Sequence, residues 1–239
     1  MANDTNFVIS AYNLDNSRPN DQMVKEVRAI AKFGDHVMCY CEAVDYDMPG
    51  IDGYVMFDRD KSKPGRENIV TYVRADLPID KDRSQWHDLK ETWTRTNPGA
   101  SGQHWPRSIQ EVVIGQMQLL NLHNPPKGTD NVHDSQQESI DKLAKRMSPN
   151  PDDSNSKERP RIAVGDYNRK PQEDGPGPGQ LASRIDGYST GDKIDCAVRR
   201  KMGLQWVKYL TTPNGVELKG DHHHMMRMMV RLDGAWLKK

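Results

Sequence analysis

Arg161–Asn168 reads Arg-Ile-Ala-Val-Gly-Asp-Tyr-Asn, a short apolar run that ends in an acid and an amide two residues apart. In a β-strand, residues i and i+2 point to the same face, so Asp166 and Asn168 would project together from the carboxyl end of this strand. Such a pair can act on a single reacting group. Because Gly-Asp-x-Asn also forms ordinary Asx turns, the stretch alone leaves a catalytic and a structural interpretation open.

Further apolar segments also end in, or carry, a side chain capable of chemistry. They are Phe7–Asn13, which ends in an amide, His36–Glu42, which ends in an acid, Glu111–His123, which ends Asn-Leu-His, and Lys193–Val198, which carries Asp195. In addition, Gly220–His222 supplies Gly-Asp-His ahead of a methionine-rich run. Buried polar groups cost free energy unless they are hydrogen-bonded, so core packing does not require this pattern. The recurrence favours one site built from several strand ends.

The acids and amides of this set suit a magnesium centre. Mg²⁺ usually takes one or two carboxylates from a protein and its other ligands from water and phosphate oxygens. We therefore assign Glu42 as the direct ligand of Mg²⁺ (or Mn²⁺), and Asn13 as the residue that orients a ligand or water beside it. Asp221 is the candidate second carboxylate. Asn13 is also compatible with the simpler role of capping a turn.

The remaining polar residues suit the reaction itself. Asp166 and Asn168 would orient and deprotonate an attacking water. His222 is the candidate acid, base or charge stabiliser because the pKa of histidine lies near working pH, and Asp195 would fix its tautomer. His123 would donate to a nonbridging phosphate oxygen as negative charge develops. A single histidine at a strand end is more often structural than catalytic, so these roles depend on the whole set.

Taken in chain order, these motifs resemble those of the endonuclease/exonuclease/phosphatase superfamily, which has the deoxyribonuclease I-like fold. The resemblance runs from about Phe7 to about Arg231 and is carried by Cys-Glu at 41–42, Asn-Leu-His at 121–123, Gly-Asp-Tyr-Asn at 165–168, Lys-Ile-Asp at 193–195 and Gly-Asp-His at 220–222. The family usually has Gln where Cys41 stands, Phe where Tyr167 stands and Ser where Gly220 stands. None of these departures removes a reacting group, although the last loses a hydroxyl. The resemblance implies the same site assignments.

Length and composition favour a single domain over residues 1–239. A chain of this size is near the limit at which one core stops growing. Lysine plus arginine and aspartate plus glutamate both number 34, so global charge does not indicate a polyanionic partner. No apolar stretch approaches the ~20 residues that span a bilayer, and no leader pattern is seen. We expect a cytoplasmic protein that does not enter a membrane, and leave its oligomeric state open.

The order of elements predicts an α/β (α+β) fold, a four-layer α/β/β/α sandwich of two packed sheets with helices outside. Apolar periodicity predicts helices near Asp21–Lys32 and Ser135–Met147. Strands are expected near 53–58 and 68–75. The stretch at about 78–108 lacks clean periodicity and is interpreted as a surface insertion. The polar stretches at about 148–160 and 172–180 are interpreted as mobile loops.

The leading hypothesis for function is a Mg²⁺-dependent phosphodiesterase, a nuclease that hydrolyses DNA. A phosphatase for a small phosphorylated ligand is the alternative, because such a centre recognises the phosphate and the loops select what carries it. A non-catalytic binding or inhibitory member of the fold is disfavoured, since every reacting position is filled. No extended basic stripe is present, but Arg66, Arg107 and Arg169 lie in or beside loops of the expected active face and are the candidate phosphate contacts.

Overall fold

The computed structural model describes residues 4–14, 19–43, 48–58, 69–88, 108–123, 161–166, 195–200, 203–219 and 224–237. These residues contain one α-helix, α1 (Asn20–Ala31), and eleven strands. The strands are β1 (Asp4–Asn13), β2 (Val37–Cys41), β3 (Tyr54–Phe57), β4 (Val70–Arg74), β5 (Ile79–Asp88), β6 (Ser108–Ile114), β7 (Met117–His123), β8 (Arg161–Asp166), β9 (Asp195–Arg200), β10 (Gly203–Leu210) and β11 (Met225–Asp233).

The strands form two sheets. The first has the order β10-β11-β1-β2-β4-β3 and the second has the order β5-β6-β7-β8-β9. Each sheet contains one parallel pair, β1 with β2 in the first and β7 with β8 in the second. The carboxyl ends of the two strands in a parallel pair lie at the same edge, so each sheet has an edge at which two strands finish together.

The sheets pack face to face through alternate apolar residues. Phe7, Ile9 and Val37 of the first sheet meet Leu119 and Val164 of the second in one buried cluster. This alternation is the expected pattern of a strand whose two faces meet different neighbours. The inter-sheet cluster holds the two parallel pairs against each other.

The other face of the first sheet packs against α1. Met23, Val27 and Ile30 of the helix lie in a second buried cluster with Tyr12 and Met38 of the sheet. The helix predicted near Asp21–Lys32 and the predicted α/β fold with two packed sheets are therefore confirmed. The helix predicted at Ser135–Met147 and the loops predicted at 148–160 and 172–180 lie outside the described residues. Within the described ranges, no helix is long and apolar enough to cross a membrane.

Two stretches differ from the sequence prediction. Residues 79–88 are the edge strand β5 of the second sheet rather than part of an insertion, and residues 89–107 lie outside the described ranges. The apolar run that ends at His123 is not one strand but the hairpin β6-β7, which turns at Gly115. Gly115 has a φ of 58°, and a Cβ there would lie 2.6 Å from the Trp236 carbonyl oxygen. Glycine is needed for this turn because it tolerates that φ and that close approach.

Candidate active site

Predicted site residues from both sheets lie at one edge of the sandwich. Asn13 ends β1, Glu42 directly follows β2, and His123 ends β7. Asp166 ends β8 opposite His123, and Asp195 begins β9 opposite Asp166. For Asp166 and Asp195 the structure describes the backbone alone. The strand ends thus bring these five positions together in the way that the sequence predicts.

Glu42 is the centre of the contacts at this edge. The Asn13 Nδ2 donates to Glu42 Oε1 over 3.1 Å, and the His123 Nε2 lies 3.5 Å from the same oxygen. The His123 side chain is 1% exposed, whereas 18% of the Glu42 side chain is exposed. A buried amide and a buried imidazole therefore hold one carboxylate that reaches solvent.

The backbone at Glu42 is unusual for a residue with a side chain. Its φ is 55°, in the left-handed region. Residues other than glycine rarely adopt this region, and it costs of order 1–3 kcal/mol. The neighbouring chain holds the conformation, since the Leu14 amide donates to the Cys41 carbonyl over 2.9 Å. Strain of this kind is typical of functional sites.

The glycine of the Gly-Asp motif has a steric role at the same edge. Gly165 has a φ of 141°, and a Cβ at this position would lie 1.8 Å from the carbonyl oxygen of Leu122 on β7. Any other residue would push β8 away from β7. Gly165 therefore keeps the strand ends that carry His123 and Asp166 close together.

A row of buried polar side chains lies beneath these strand ends. This inter-sheet polar row consists of Thr71 on β4, Gln110 on β6 and Asn121 on β7, none of them more than 1% exposed. None of these three residues is among the site residues predicted from the sequence. A signal was present, because Asn121 precedes His123 by two residues and shares its face of the strand.

The remaining predicted site residues belong to segments between or beyond the described strands. Asn168, Asp221, His222, Arg66, Arg107 and Arg169 lie outside the described residues. β11 begins at Met225 and pairs Met226 with Ala11, so it starts near the same edge, soon after His222 in the sequence. Among the described side chains, no group of three or more His, Cys, Asp or Glu residues is arranged to hold a metal ion.

Comparisons with known proteins identify the fold. No family model matches the sequence, and no curated protein matches it. An endonuclease/exonuclease/phosphatase from Bacteroides vulgatus is 16% identical, with a TM-score of 0.61 over 95% of this chain and 99% of that chain. AP endonuclease LMAP from Leishmania major is 15% identical, with a TM-score of 0.58 over 95% of this chain and 88% of that one. ANGEL2, a 2′,3′-cyclic phosphatase, is 10% identical, with a TM-score of 0.63 over 96% of both chains.

These likenesses confirm the expected fold. The chain has the deoxyribonuclease I-like fold of the endonuclease/exonuclease/phosphatase superfamily. At identities between 10% and 16%, they show the architecture and not a particular activity.

Proposed function

We propose that this protein is a metal-dependent phosphodiesterase that hydrolyses DNA. The observation that carries the proposal is the convergence of Asn13 and His123 on Glu42 at an edge where strands of both sheets finish. A partly exposed carboxylate beside an imidazole, held by buried partners, suits phosphoester chemistry. The matched structures include an endonuclease and a phosphatase on the same fold, which supports this class of reaction.

The residues around Glu42 fit a hard divalent cation such as Mg²⁺ or Mn²⁺. Within the described part of the chain, no lysine or arginine pairs with the Glu42 carboxylate, whose partners are an amide and an imidazole. Mg²⁺ needs few protein ligands because it keeps several waters. Glu42 would hold the cation, with Asn13 and Asp221 beside it. When bound, the cation neutralises negative charge on the phosphate and polarises its phosphorus–oxygen bonds.

The other residues have proposed roles in moving protons and stabilising charge. Asn168 and Asp166 orient the attacking water, and the Asp166 carboxylate accepts its proton. Asp195 fixes the tautomer of His222, which stabilises or protonates the phosphate at the reaction centre. His123 would donate to a nonbridging phosphate oxygen as negative charge grows there.

The choice of DNA as substrate depends on the loops. Arg66, Arg107 and Arg169 are proposed to contact backbone phosphates away from the bond that is cleaved. The likeness to an AP endonuclease favours this substrate class. The likeness to a 2′,3′-cyclic phosphatase keeps a small phosphorylated ligand as the second candidate.

A substrate panel tests the proposal. Purified protein is incubated with plasmid DNA, single-stranded DNA, RNA, a 2′,3′-cyclic nucleotide and phosphomonoesters, each with Mg²⁺, Mn²⁺ or excess chelator. We expect DNA hydrolysis that needs the metal. Hydrolysis of the small phosphoesters alone would favour the second candidate. Full DNA hydrolysis in chelator would overturn the metal assignment.

The salt dependence of DNA binding separates a polymer substrate from a small one. Replacing Arg66, Arg107 and Arg169 by Gln should weaken DNA binding and reduce the slope of log K against log salt by about one unit per lost contact. The matched control is Arg83→Gln, because Arg83 contacts the Gly115 carbonyl at the opposite end of β7 from His123. An unchanged slope in the triple variant would reject this DNA surface.

A further inference from the structure

The amide of Asn121 spans the two sheets directly beneath the candidate site. Its Nδ2 lies 3.0 Å from Thr71 Oγ1, 3.2 Å from the Val70 carbonyl and 3.4 Å from the Tyr40 carbonyl. Asn121 belongs to β7 of the second sheet, and these three acceptors belong to β4 and β2 of the first sheet. One side chain therefore links a strand of the second sheet to two neighbouring strands of the first.

The ends of this link lie close to the site residues in sequence. Asn121 precedes His123 by two positions, and Tyr40 precedes Glu42 by two positions. The 3.5 Å contact between His123 Nε2 and Glu42 Oε1 therefore joins β7 to the end of β2, the same two strands that Asn121 links. Any movement of β7 relative to β2 would change both contacts together.

Apolar packing alone would leave that separation loosely defined. Hydrophobic burial is non-directional, so it does not by itself specify the distance between two particular polar side chains. Hydrogen bonds prefer a narrow range of distance and angle, and so restrict that distance. Asn121 supplies directional bonds between the sheets close to the strand ends.

The inter-sheet polar row extends this link through two further residues. The Thr71 hydroxyl donates to the Gln110 amide oxygen, and the Gln110 Nε2 donates to the Phe57 carbonyl over 3.0 Å. Within the part of the chain that the structure describes, Asn121 Oδ1 is buried without a hydrogen-bond partner. An unpaired buried oxygen reduces stability, so packing alone does not account for an asparagine at this position.

We propose that Asn121 is a positioning residue that sets the separation between Glu42 and His123 and thereby the affinity for a divalent cation. The inference rests on the proposed metal-dependent function. Asn121 does not touch the substrate in this role. It acts through the strands that carry the two site residues, as partners behind metal ligands commonly do.

The test compares Asn121→Leu with Gln110→Leu. The first variant removes both the amide donor and the unpaired oxygen at similar volume. The second removes an amide of the same row that does not contact β2. For each full-length variant, we would measure the thermal unfolding midpoint, the Kd for Mn²⁺ by calorimetry, and kcat and KM on the substrate that the panel identifies.

We expect Asn121→Leu to keep or raise the unfolding midpoint while Mn²⁺ affinity and kcat each fall about 10–100-fold. Gln110→Leu should change Mn²⁺ affinity less than about threefold. A merely structural role would lower the midpoint and leave kcat of the folded protein unchanged. If Asn121→Leu does not fold, Asn121→Val takes its place, because a β-branched residue suits a strand and also lacks the donor.

The outcomes separate the inference from the proposed function. Wild-type Mn²⁺ affinity and kcat in a folded Asn121 variant would overturn the positioning role while the hydrolase activity stands. A wild-type protein that binds Mn²⁺ but hydrolyses no phosphoester would reject the proposed function, and the Mn²⁺ affinities would still decide the role of Asn121. A wild-type protein that binds no Mn²⁺ would overturn both.

Discussion

The two ends of β2 carry polar clusters that differ in burial and in how completely they are paired. Asp35 lies just before β2 and is 1% exposed. The Arg227 Nε lies 2.9 Å from each Asp35 carboxylate oxygen, the Ser10 hydroxyl donates to the same carboxylate, and the Tyr54 hydroxyl donates to the Asp35 carbonyl over 2.7 Å. At this end, the buried charge has an opposite charge and further donors.

At the end of β2 that carries Glu42, the polar groups have fewer hydrogen-bond and ion-pair partners. Among the described residues, Glu42 has only an amide and an imidazole as partners, its φ is positive, and the nearby Asn121 has an unpaired oxygen. Natural proteins satisfy buried polar groups almost everywhere, and the exceptions need an explanation. The contrast fits a stabilising role for the Asp35 end and supports the proposal that the site lies at the Glu42 end.

The largest expected effect is on activity, at the Glu42 end. Glu42→Gln keeps the shape of the side chain and removes the charge that would hold a cation, so kcat/KM should fall about a thousandfold, or about 4 kcal/mol in activation free energy. The free energy of unfolding should change by less than about 1 kcal/mol, because the charge has no cationic partner among the described residues. Kinetics and urea unfolding measure the two quantities.

The matched control for this prediction is Asp52→Asn, which makes the same acid-to-amide change at an exposed residue. It should leave both kcat/KM and stability unchanged. A Glu42→Gln variant with more than a tenth of wild-type activity would contradict the assignment of Glu42 as the cation ligand.

The next effect is on stability, at the Asp35 end. Arg227→Met should lower the free energy of unfolding by about 3 kcal/mol, because it leaves the buried Asp35 carboxylate without its cation. The substitution also removes the stacking of the Arg227 guanidinium over the Phe33 ring, whose centroid lies 4.4 Å from Arg227 Cζ. Activity per folded molecule should stay within about twofold of wild type. Chemical unfolding and kinetics at a temperature where the variant is folded measure these values.

A second substitution tests the cause of that loss. Adding Asp35→Asn to Arg227→Met removes the uncompensated charge and should recover part of the lost stability. Equal losses in the single and double variants would mean that packing of Arg227, and not its charge, stabilises this end.

The sequence predicted the strand ends well because their signals are local. An apolar run followed by an acid, amide or histidine can be read within a few residues, which placed Asn13, Glu42 and His123 correctly. The links between sheets could not be read in this way. The acceptors of Asn121 lie 50 to 81 positions away in the chain, and no local pattern specifies such pairs.

The edge strand β5 escaped prediction for a different physical reason. It reads Ile-Asp-Lys-Asp-Arg-Ser-Gln-Trp-His-Asp, and its pairing with β6 shifts register between Asp80 and Gln85. Charged residues and bulges protect the edges of sheets from pairing with other chains. The same features remove the apolar alternation by which a strand is recognised in sequence.

The smallest predicted effect is the response of the Asp35 end to pH through His36. Burial lowers the pKa of His36 below its usual 6.5, and Arg74 lowers it further, although the carboxylates of Asp76 and Asp35 act in the opposite direction. The His36 Nδ1 accepts a hydrogen bond from the Val8 amide over 3.1 Å, which requires that this nitrogen carry no proton. The folded protein therefore binds this proton less readily than the unfolded chain does.

Because the pKa of His36 is lower in the folded state, its contribution to stability is fully present above the unfolded pKa of about 6.5 and is lost as pH falls toward the folded pKa. Urea unfolding between pH 7.5 and 5 should show this decline. His36→Asn offers an oxygen to the Val8 amide without titrating, so its stability should fall less over the same range. The activity of folded wild-type protein and of folded His36→Asn should be the same, because His36 lies at the opposite end of β2 from Glu42. Parallel stability curves for wild type and His36→Asn would mean that another group carries the pH response and that the Asp35 end does not titrate through His36.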